Sequence, residues 1–323
     1  MKYHTKTGIL INKDSLKNLS QIDAIIFDCD GVLVDISKSY DLAIKQTAAF
    51  VLDEFAGIKS IPVSSKIISG FKASGGFNDE VDVTYAAILS LLAAKRLGVD
   101  AKKFINQVID NADSTGIISV EKFLATVPVD ISDIKKKLRY PGPHSTNPLY
   151  QIFDQMFYGK DLYKKIFGKK SQFKKGLIEN DIVLVTQKLI NSLEPKFAKK
   201  IAIVTGRGKE STKYSLDKLF GKFDIDSSFF LEDHSRTLAK PNPKSLIMSI
   251  NRLKSKHCLY VGDSMEDLIM AKKASKLGKK TTFCGIYGTS QNPNSKKRFF
   301  EKNNADIIIQ SIDLIPKALN LAH

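Results

Sequence analysis

Two aspartates after an apolar run form the first candidate for chemistry in this sequence. Asp28 and Asp30 come directly after the run 24–27, and Gly31 follows them. If this run is a buried strand, both carboxylates leave its carboxyl end on one side, where open α/β sheets bind ligands. Carboxylates this close are stabilised by a cation between them. A turn with a helix cap is the alternative interpretation of the same residues.

Two further motifs follow later apolar runs. Thr205 and Gly206 come after the run 201–204, and a hydroxyl with free backbone N–H groups at such a turn can hold a phosphate. Lys240 precedes a helix for which Asn242 is the expected cap. A lysine fixed there can neutralise both a phosphate and the carboxylates. An ordinary helix cap at Thr205 and a surface lysine at 240 are the alternatives.

A fourth motif adds a third carboxylate. Asp263 follows the run 258–261, so we expect it beside the first pair at the same edge of the sheet. Ser264 and Asp267 have the spacing of a capping box, which leaves Asp267 either as a structural cap or as support for a metal. Each motif alone has an ordinary structural explanation. Their common order and their common place at strand ends point to one site.

The elements that must position these side chains alternate between strands and helices. Apolar runs typical of buried parallel strands are found at 24–27, 201–204, 229–231, 258–261, 281–284 and 307–309. Helical stretches separate the later runs, at about 209–220, 243–255, 265–277 and 312–320. We therefore predict an α/β fold with a doubly wound, mostly parallel, Rossmann-like sheet.

Between residues 36 and 180 the pattern changes to consecutive helices. Apolar residues recur at helical spacing over 38–56 and over 79–97, for which Asn78 is the expected cap. A third helix over 148–158 is expected to begin with Asn147 as its cap.

The predicted domain organisation is accordingly discontinuous. Residues 1–36 and 180–323 form the α/β core, and residues 37–179 form an inserted all-α domain.

The composition indicates a globular protein that contains a sizeable core. The chain has 323 residues, of which 43% are hydrophobic and 26% charged. It has no apolar run of membrane-spanning length and no signal-peptide pattern, so we expect a cytoplasmic protein that makes no membrane contact. Three cysteines without metal-ligand spacing predict neither a disulfide framework nor a zinc site.

The formal net charge of +16 raises the question of nucleic-acid binding. The cations comprise 44 lysines and 6 arginines. Arginine is favoured where planar recognition of phosphates and bases matters, so dispersed lysines favour a solvated surface. The densest basic run, Lys160 to Lys175, is the one candidate for a basic patch, and its role stays open. We do not expect a nucleic-acid partner, and the sequence does not indicate an oligomeric state.

The four motifs together resemble those of the haloacid dehalogenase-like hydrolases. The matching residues are, in chain order, Asp28-x-Asp30-Gly31-Val32, Thr205-Gly206, Lys240-Pro241 and Gly262-Asp263-x-x-x-Asp267. The run 27–35 is most similar to the phosphoglycolate-phosphatase-like branch. The helical insert lies where subfamily I members carry a C1-type cap domain.

This resemblance implies a Mg²⁺-dependent phosphatase. Asp28 would attack phosphorus and form an aspartyl-phosphate, while Asp30 would act as the general acid and base. Mg²⁺ would be bound by Asp28, the backbone carbonyl of Asp30 and Asp263, with Asp267 in support. The substrate would be a small phosphorylated metabolite such as phosphoglycolate, a sugar phosphate, a nucleotide or histidinol phosphate.

The resemblance also assigns the groups that bind the phosphoryl oxygens. Thr205, the Gly206 N–H and Lys240 would hold them, and such positioning and charge stabilisation account for most catalysis in phosphoryl transfer.

Candidates for substrate specificity come from the insert. The glycine-rich segment from Lys72 to Asp79 carries a cation, and Lys72 and Asn78 are its candidate contacts; a helix–helix loop is the alternative. Arg139 and His144 are further candidates. Arg207, next to the phosphate motif, is expected to face either substrate or solvent.

Two other functions compete with the phosphatase. A phosphomutase of the β-phosphoglucomutase type would use the same carboxylates. A polyanion- or RNA-binding protein would use the Lys160 to Lys175 run and keep the fold for stability, but unpaired carboxylates would then be a burden without a metal.

Overall fold

The computed structural model describes residues 2–59, 62–77 and 79–320. The chain forms two compact units. The first comprises Met1–Ser37 and Asp181–His323, and the second comprises Lys38–Asn180. Within the described residues, no helix has both the length and the apolar character needed to cross a membrane.

The secondary structure of the described residues consists of short strands and helices of four to twenty residues. The strands are β1 (Tyr3–Lys6), β2 (Ile9–Asn12), β3 (Ala24–Phe27), β4 (Val34–Asp35), β5 (Ile182–Val183), β6 (Ile201–Thr205), β7 (Phe229–Phe230), β8 (Cys258–Gly262), β9 (Thr281–Ile286) and β10 (Ile307–Ile309). The α-helices are α1 (Lys13–Leu16), α2 (Ser39–Ala56), α3 (Ser65–Ala73), α4 (Glu80–Leu97), α5 (Ala101–Asp110), α6 (Ile117–Leu124), α7 (Ser132–Leu138), α8 (Pro148–Phe167), α9 (Gln187–Phe197), α10 (Lys209–Leu216), α11 (Lys244–Arg252), α12 (Met265–Lys276), α13 (Pro293–Lys302) and α14 (Ile315–Ala318).

The first unit is built on one sheet with the strand order β1-β2-β10-β9-β8-β3-β6-β7. From β10 to β7 all neighbours are parallel, which confirms the predicted mostly parallel α/β fold. The N-terminal hairpin β1–β2 adds two antiparallel strands beyond β10. The sequence analysis did not identify this hairpin, because β1 is polar and largely exposed and carries no buried-strand pattern.

Apolar side chains from alternate strand positions fill both faces of this sheet. In β3, Ile25 and Phe27 belong to one buried cluster, and Ala24 and Ile26 belong to the other. Helices α9 and α14 contribute to the first cluster, and α11, α12 and α13 contribute to the second. This two-sided cover explains why the strands read as continuous apolar runs.

Several predicted helices of this unit are shorter than expected. The stretch 209–220 is helical to Leu216 and continues as a 3₁₀ helix, Asp217–Lys222. The stretch 312–320 is a 3₁₀ turn followed by the short α14. Helix α11 begins one residue later than expected: Pro243 holds the cap position, and Asn242 Oδ1 accepts the Lys244 N–H at 3.0 Å.

Among the described residues, the second unit packs six α-helices around a seventh, α4. Thirteen of the eighteen residues of α4 are buried, so this helix forms the centre of the unit. Its observed cap is Asp79, whose side chain accepts the Val81 N–H, rather than the predicted Asn78. Asn78 itself lies outside the described residues. Helix α2 ends at Gly57.

Helix α8 is longer than its predicted range, 148–158. Asn147 caps it as expected, with its side chain accepting the N–H groups of Leu149 and Tyr150. The helix then continues to Phe167 through a non-helical residue, Gly159, with φ 67° and ψ −171°. The predicted basic run therefore begins in the second half of this helix, and its lysines are exposed.

Gly159 is required by both its conformation and its neighbours. A Cβ there would lie 2.3 Å from the backbone nitrogen of Gly176, which folds back against it. Gly168, which ends the same helix, has nearly the same φ of 68° but no described atom within 4 Å of such a Cβ.

We therefore expect Gly159→Ala to destabilise the second unit more than Gly168→Ala. The matched Gly168 variant carries only the left-handed strain, about 1–2 kcal/mol. Gly159→Ala adds a backbone collision, and we expect a total of at least about 3 kcal/mol. Urea denaturation followed by circular dichroism measures both. Equal losses would contradict the close packing at Gly159.

A hydrogen-bond cluster around Asp23 links the chain before β3 to the chain before β8, at the amino ends of these two strands. Asp23 accepts the Ser255 hydroxyl at 2.6 Å and the N–H groups of Lys256 and His257 at 3.1 Å. The pKa of Asp23 falls to about 2 because these donors outweigh its burial. The His257 ring is buried, with Nε2 2.8 Å from the Thr282 hydroxyl.

Protonation of His257 is expected to destabilise the fold. Burial, assisted by Lys280 and Lys196 and opposed by Asp23, lowers the pKa of His257 to about 4. The unfolded chain binds this proton near pH 6.5, so stability is full above that pH and falls as the pH drops towards 4. His257→Gln should flatten this part of the pH–stability curve measured by urea denaturation. The exposed His4→Gln serves as the control and should keep the wild-type slope.

Candidate functional site

The carboxyl edge of the three central strands holds the predicted chemical groups. In the order β8-β3-β6, Asp263 follows β8, Asp28 follows β3, and Thr205 ends β6. The Asp28 N–H donates to the Val261 carbonyl at 2.8 Å, which extends the pairing of β3 with β8 by one residue. Adjacent parallel strands therefore deliver these side chains to one place, as the sequence predicts.

Lys240 is buried between two carboxylates. Its Nζ lies 2.7 Å from Asp28 Oδ1 and 2.7 Å from Asp267 Oδ1. The two carboxylates raise the pKa of Lys240 above its ordinary value and outweigh the effect of burial. Lys240 is thus a cation paired with carboxylates inside the site, and the surface-lysine interpretation is wrong.

The surroundings of Asp28 disfavour the ionised form of its carboxyl group. Burial, with smaller contributions from Asp267 and Asp263, raises its pKa to about 8, although Lys240 acts in the opposite direction. The Cys29 N–H and Lys240 both contact Oδ1. A further cation bound beside Asp28 would favour the ionised form of its carboxyl group.

Asp267 links several groups of the site through its two carboxylate oxygens. It is fully buried and accepts the Tyr260 hydroxyl at 2.7 Å, the Ser264 hydroxyl at 2.7 Å and the Asp263 N–H at 3.2 Å. With Ser264 it forms the predicted capping box of α12. Although burial opposes it, Lys240 lowers the pKa of Asp267, helped by these hydrogen bonds. The two interpretations of Asp267 are therefore combined in one residue.

Three carboxylates are close enough to bind one metal ion. Ligand atoms of Asp28, Asp263 and Asp267 lie within 4.8 Å of one another. Because the oxygens of Asp267 already accept several donors, Asp28 and Asp263 offer the more available ligands. A cluster of hard oxygen donors with excess negative charge suits Mg²⁺.

Gly31 allows this approach of the chain to Asp263. It has φ 74°, and a Cβ there would lie 2.5 Å from Asp263 Oδ2. Only glycine combines this conformation with this contact.

Lys296 is a second cation at the site, which the sequence analysis missed. It lies on α13, and its Nζ is 2.5 Å from Asp263 Oδ2. As one of 44 lysines outside the motifs, it carries no local signal that could have identified it. Only the folding of α13 beside β9 brings it to Asp263.

Asp30 and Arg207 form a separate pair beside the carboxylate cluster. Arg207 Nε lies 3.0 Å from Asp30 Oδ1, and Arg207 Nη1 lies 2.8 Å from Asp181 Oδ2. The Arg207 side chain is 0% exposed. It does not face solvent, so that expectation for Arg207 is wrong, while a contact with substrate stays a prediction. Asp181 is 26 residues away in sequence, which hid this contact from motif analysis.

The predicted phosphate-binding turn contains a buried residue that acts as a turn cap, Thr205, and an exposed residue, Gly206. Thr205 is fully buried, and its Oγ1 accepts the Arg207 N–H at 3.2 Å, as an ordinary turn cap would. The hydroxyl can donate one further hydrogen bond. Gly206 is exposed, and no described atom lies within 4 Å of where its Cβ would be. Backbone at Gly206 is therefore accessible to a ligand.

The specificity candidates of the second unit take part in local contacts. Lys72 lies in the last turn of α3 and pairs with Glu80 at 3.2 Å, so it belongs to a helix rather than to the predicted loop. Arg139 ends α7 in a left-handed conformation. His144 Nε2 lies 2.9 Å from the buried Asp154.

The three cysteines are free and buried. This agrees with the prediction that they form no disulfide framework.

A curated relative matches nearly the whole chain at low identity. The protein "Imidazoleglycerol-phosphate dehydratase" of Phytophthora nicotianae is 22% identical over 312 residues. The match covers 92% of this chain and 53% of the relative, so the chain spans about half the length of that protein.

Two solved structures are similar in fold. "Phosphatase Tt82 from Thermococcus thioreducens" has a TM-score of 0.58 and 20% identity, covering 86% of this chain and 98% of that one. A putative haloacid dehalogenase-like hydrolase from Bacteroides fragilis has a TM-score of 0.50 and 16% identity, covering 91% of this chain and 99% of that one.

The family comparison covers the part of the chain that contains all four motifs. The model of the haloacid dehalogenase-like hydrolases matches residues 22–275, a range that begins before β3 and ends in α12, and so spans all four motifs. The resemblance found in the sequence is confirmed: this chain belongs to the haloacid dehalogenase-like hydrolases.

Proposed function

We propose that this protein is a Mg²⁺-dependent phosphatase that hydrolyses a small phosphorylated metabolite. The observation that carries the proposal is the buried Asp28 carboxylate, 2.7 Å from Lys240 and clustered with Asp263 at the carboxyl edge of the sheet. This arrangement combines a nucleophile, a fixed cation and ligands for a metal within one site.

The first step of the proposed reaction transfers the phosphoryl group to Asp28. A carboxylate oxygen of Asp28 forms a bond to phosphorus, and the ester P–O bond breaks. Asp30 gives its proton to the departing oxygen, so the leaving group departs as an alcohol. Oδ1 of Asp28 is engaged by Lys240 and the Cys29 N–H, which favours Oδ2 as the attacking atom.

The second step releases phosphate. Asp30, now ionised, takes a proton from a water molecule whose oxygen bonds to phosphorus. The P–O bond to Asp28 breaks, and both carboxyl groups return to their first states. Asp30 therefore donates a proton in the first step and accepts a proton in the second.

The fixed charges of the site stabilise the transferring group. Lys240 supplies a cation that stays charged, while Thr205 and the Gly206 N–H supply the remaining donors in this proposal. Mg²⁺ bound by Asp28, Asp263 and the Asp30 carbonyl would neutralise charge on the phosphoryl oxygens. Asp267 supports this set by holding Lys240 and the Asp263 backbone.

The leaving group is not defined by these residues, because they contact the phosphoryl group and the metal. The name of the Phytophthora relative refers to an imidazole-bearing phosphate monoester. This motivates testing histidinol phosphate beside phosphoglycolate, sugar phosphates and nucleotides. We further propose that the second unit acts as the cap domain, 37–179, of the discontinuous core.

Loss of the nucleophile should abolish phosphate release. We expect Asp28→Asn to reduce kcat by at least about 1,000-fold on every substrate, because an amide cannot form the phospho-enzyme. Phosphate release from the panel, measured with Mg²⁺ and with EDTA, checks this. EDTA should abolish wild-type activity.

The exposed Asp226→Asn in the same unit is the matched control and should keep wild-type rates. A folded wild type that releases no phosphate from any ester would refute the phosphatase. Turnover of a hexose monophosphate only after priming with its bisphosphate would establish the mutase instead.

Lys296 should compete with the metal. Its ammonium group pairs with Asp263 Oδ2, an oxygen that Mg²⁺ would use. We expect Lys296→Gln to tighten Mg²⁺ binding several-fold in calorimetric titrations without substrate. Lys297→Gln removes the same charge one residue away and should change the affinity less. Unchanged or weaker binding in Lys296→Gln would contradict this role.

A further inference from the structure

Arg207 connects two carboxylates through one buried guanidinium. Nε lies 3.0 Å from Asp30 Oδ1, and Nη1 lies 2.8 Å from Asp181 Oδ2. Nη1 also donates to the Ser215 hydroxyl at 2.7 Å, and that hydroxyl donates to Asp181 at 2.7 Å. The guanidinium is therefore fixed at its far end by Asp181 and Ser215.

The backbone around Asp30 is fixed to the same segment of chain. Strands β4 and β5 pair with each other, with Val34 opposite Val183. The Leu184 N–H donates to the Leu33 carbonyl at 2.8 Å. Backbone hydrogen bonds thus join the turn that carries Asp30 to the segment that carries Asp181. The Arg207 side chain joins the same two segments by contacting both carboxylates.

The chemistry of arginine suits this role. A guanidinium stays protonated under all relevant conditions. Its 3.0 Å contact with Asp30 is an ion pair without hydrogen-bond geometry, so the attraction of opposite charges holds the Asp30 carboxylate beside Arg207. Because the Arg207 side chain is fully buried, water and salt screen its interaction with Asp30 much less than they screen a pair of exposed side chains. The Asp30 side chain is partly exposed, and the ion pair with Arg207 restricts the orientation of its carboxylate.

We propose that Arg207 is a positioning residue that aligns Asp30 for proton transfer, with Asp181 and Ser215 holding Arg207 in place. This inference rests on the proposed phosphatase function. It assigns to Arg207 no contact with the substrate. Arg207 acts on the step in which Asp30 protonates the departing oxygen.

This role predicts a dependence on the leaving group. An alkyl phosphate expels a strongly basic alkoxide and needs the proton from Asp30. p-Nitrophenyl phosphate expels a weakly basic phenolate and needs it far less. Misplacing Asp30 should therefore slow the alkyl ester selectively, whereas general damage to the site should slow both esters equally.

The test compares kcat/KM for the best alkyl ester of the panel with kcat/KM for p-nitrophenyl phosphate. We expect Arg207→Gln to lower the alkyl value by about 10- to 100-fold and the p-nitrophenyl value by less than about 3-fold. Because both values come from one preparation, their ratio is independent of the fraction of folded enzyme. Arg252→Gln, remote from the Asp30 pair, should leave the ratio unchanged.

Two further variants complete the test. Asp181→Asn, which keeps Arg207 paired with Asp30, should change the ratio in the same direction but less, and it replaces Arg207→Gln if that variant does not fold. In the Asp30→Asn background, Arg207→Gln should produce no additional change in the ratio. An equal loss on both esters, or an additive loss in the double variant, would overturn the inference. A wild type that hydrolyses neither ester would instead refute the proposed function.

Discussion

The concentration of buried negative charge at one edge of the sheet is the constraint on which the rest of the structure depends. Asp28, Asp263 and Asp267 approach one another closely, and two of them are almost completely buried. Such a cluster is unfavourable unless cations and donors compensate it. Lys240 provides the compensation inside the protein, and the capping box of α12 provides donors for Asp267.

The parallel sheet is what allows this cluster to form. Adjacent strands β8, β3 and β6 end at the same edge, so short loops after each strand bring their side chains together. The same edge exposes backbone at Gly206. Helices packed on both faces exclude water from the strands and leave the edge as the place where polar groups meet.

The site divides into two electrostatic parts with different chemistry. Asp28, Lys240 and Asp263 form a part that suits a metal and a phosphoryl group. Asp30 belongs to the other part, where its carboxylate forms an ion pair with a buried arginine. The carboxylate proposed to bond to phosphorus and the one proposed to transfer protons therefore have different charged neighbours, Lys240 for Asp28 and Arg207 for Asp30.

The sequence by itself determined the fold class and the motifs of the site. Continuous apolar runs report burial on both strand faces, and polar residues after those runs report the strand ends, so both signals are local. The hairpin β1–β2 was not predictable in this way, because its place beside β10 depends on pairing over almost the full chain. The partners of Asp30 and Asp263 were decided by tertiary structure alone. Arg207 and Lys296 reach them across long sequence separations. Arg207 stands beside a motif, but its partner cannot be read from the sequence, and no local pattern distinguishes Lys296 from the other lysines of the chain.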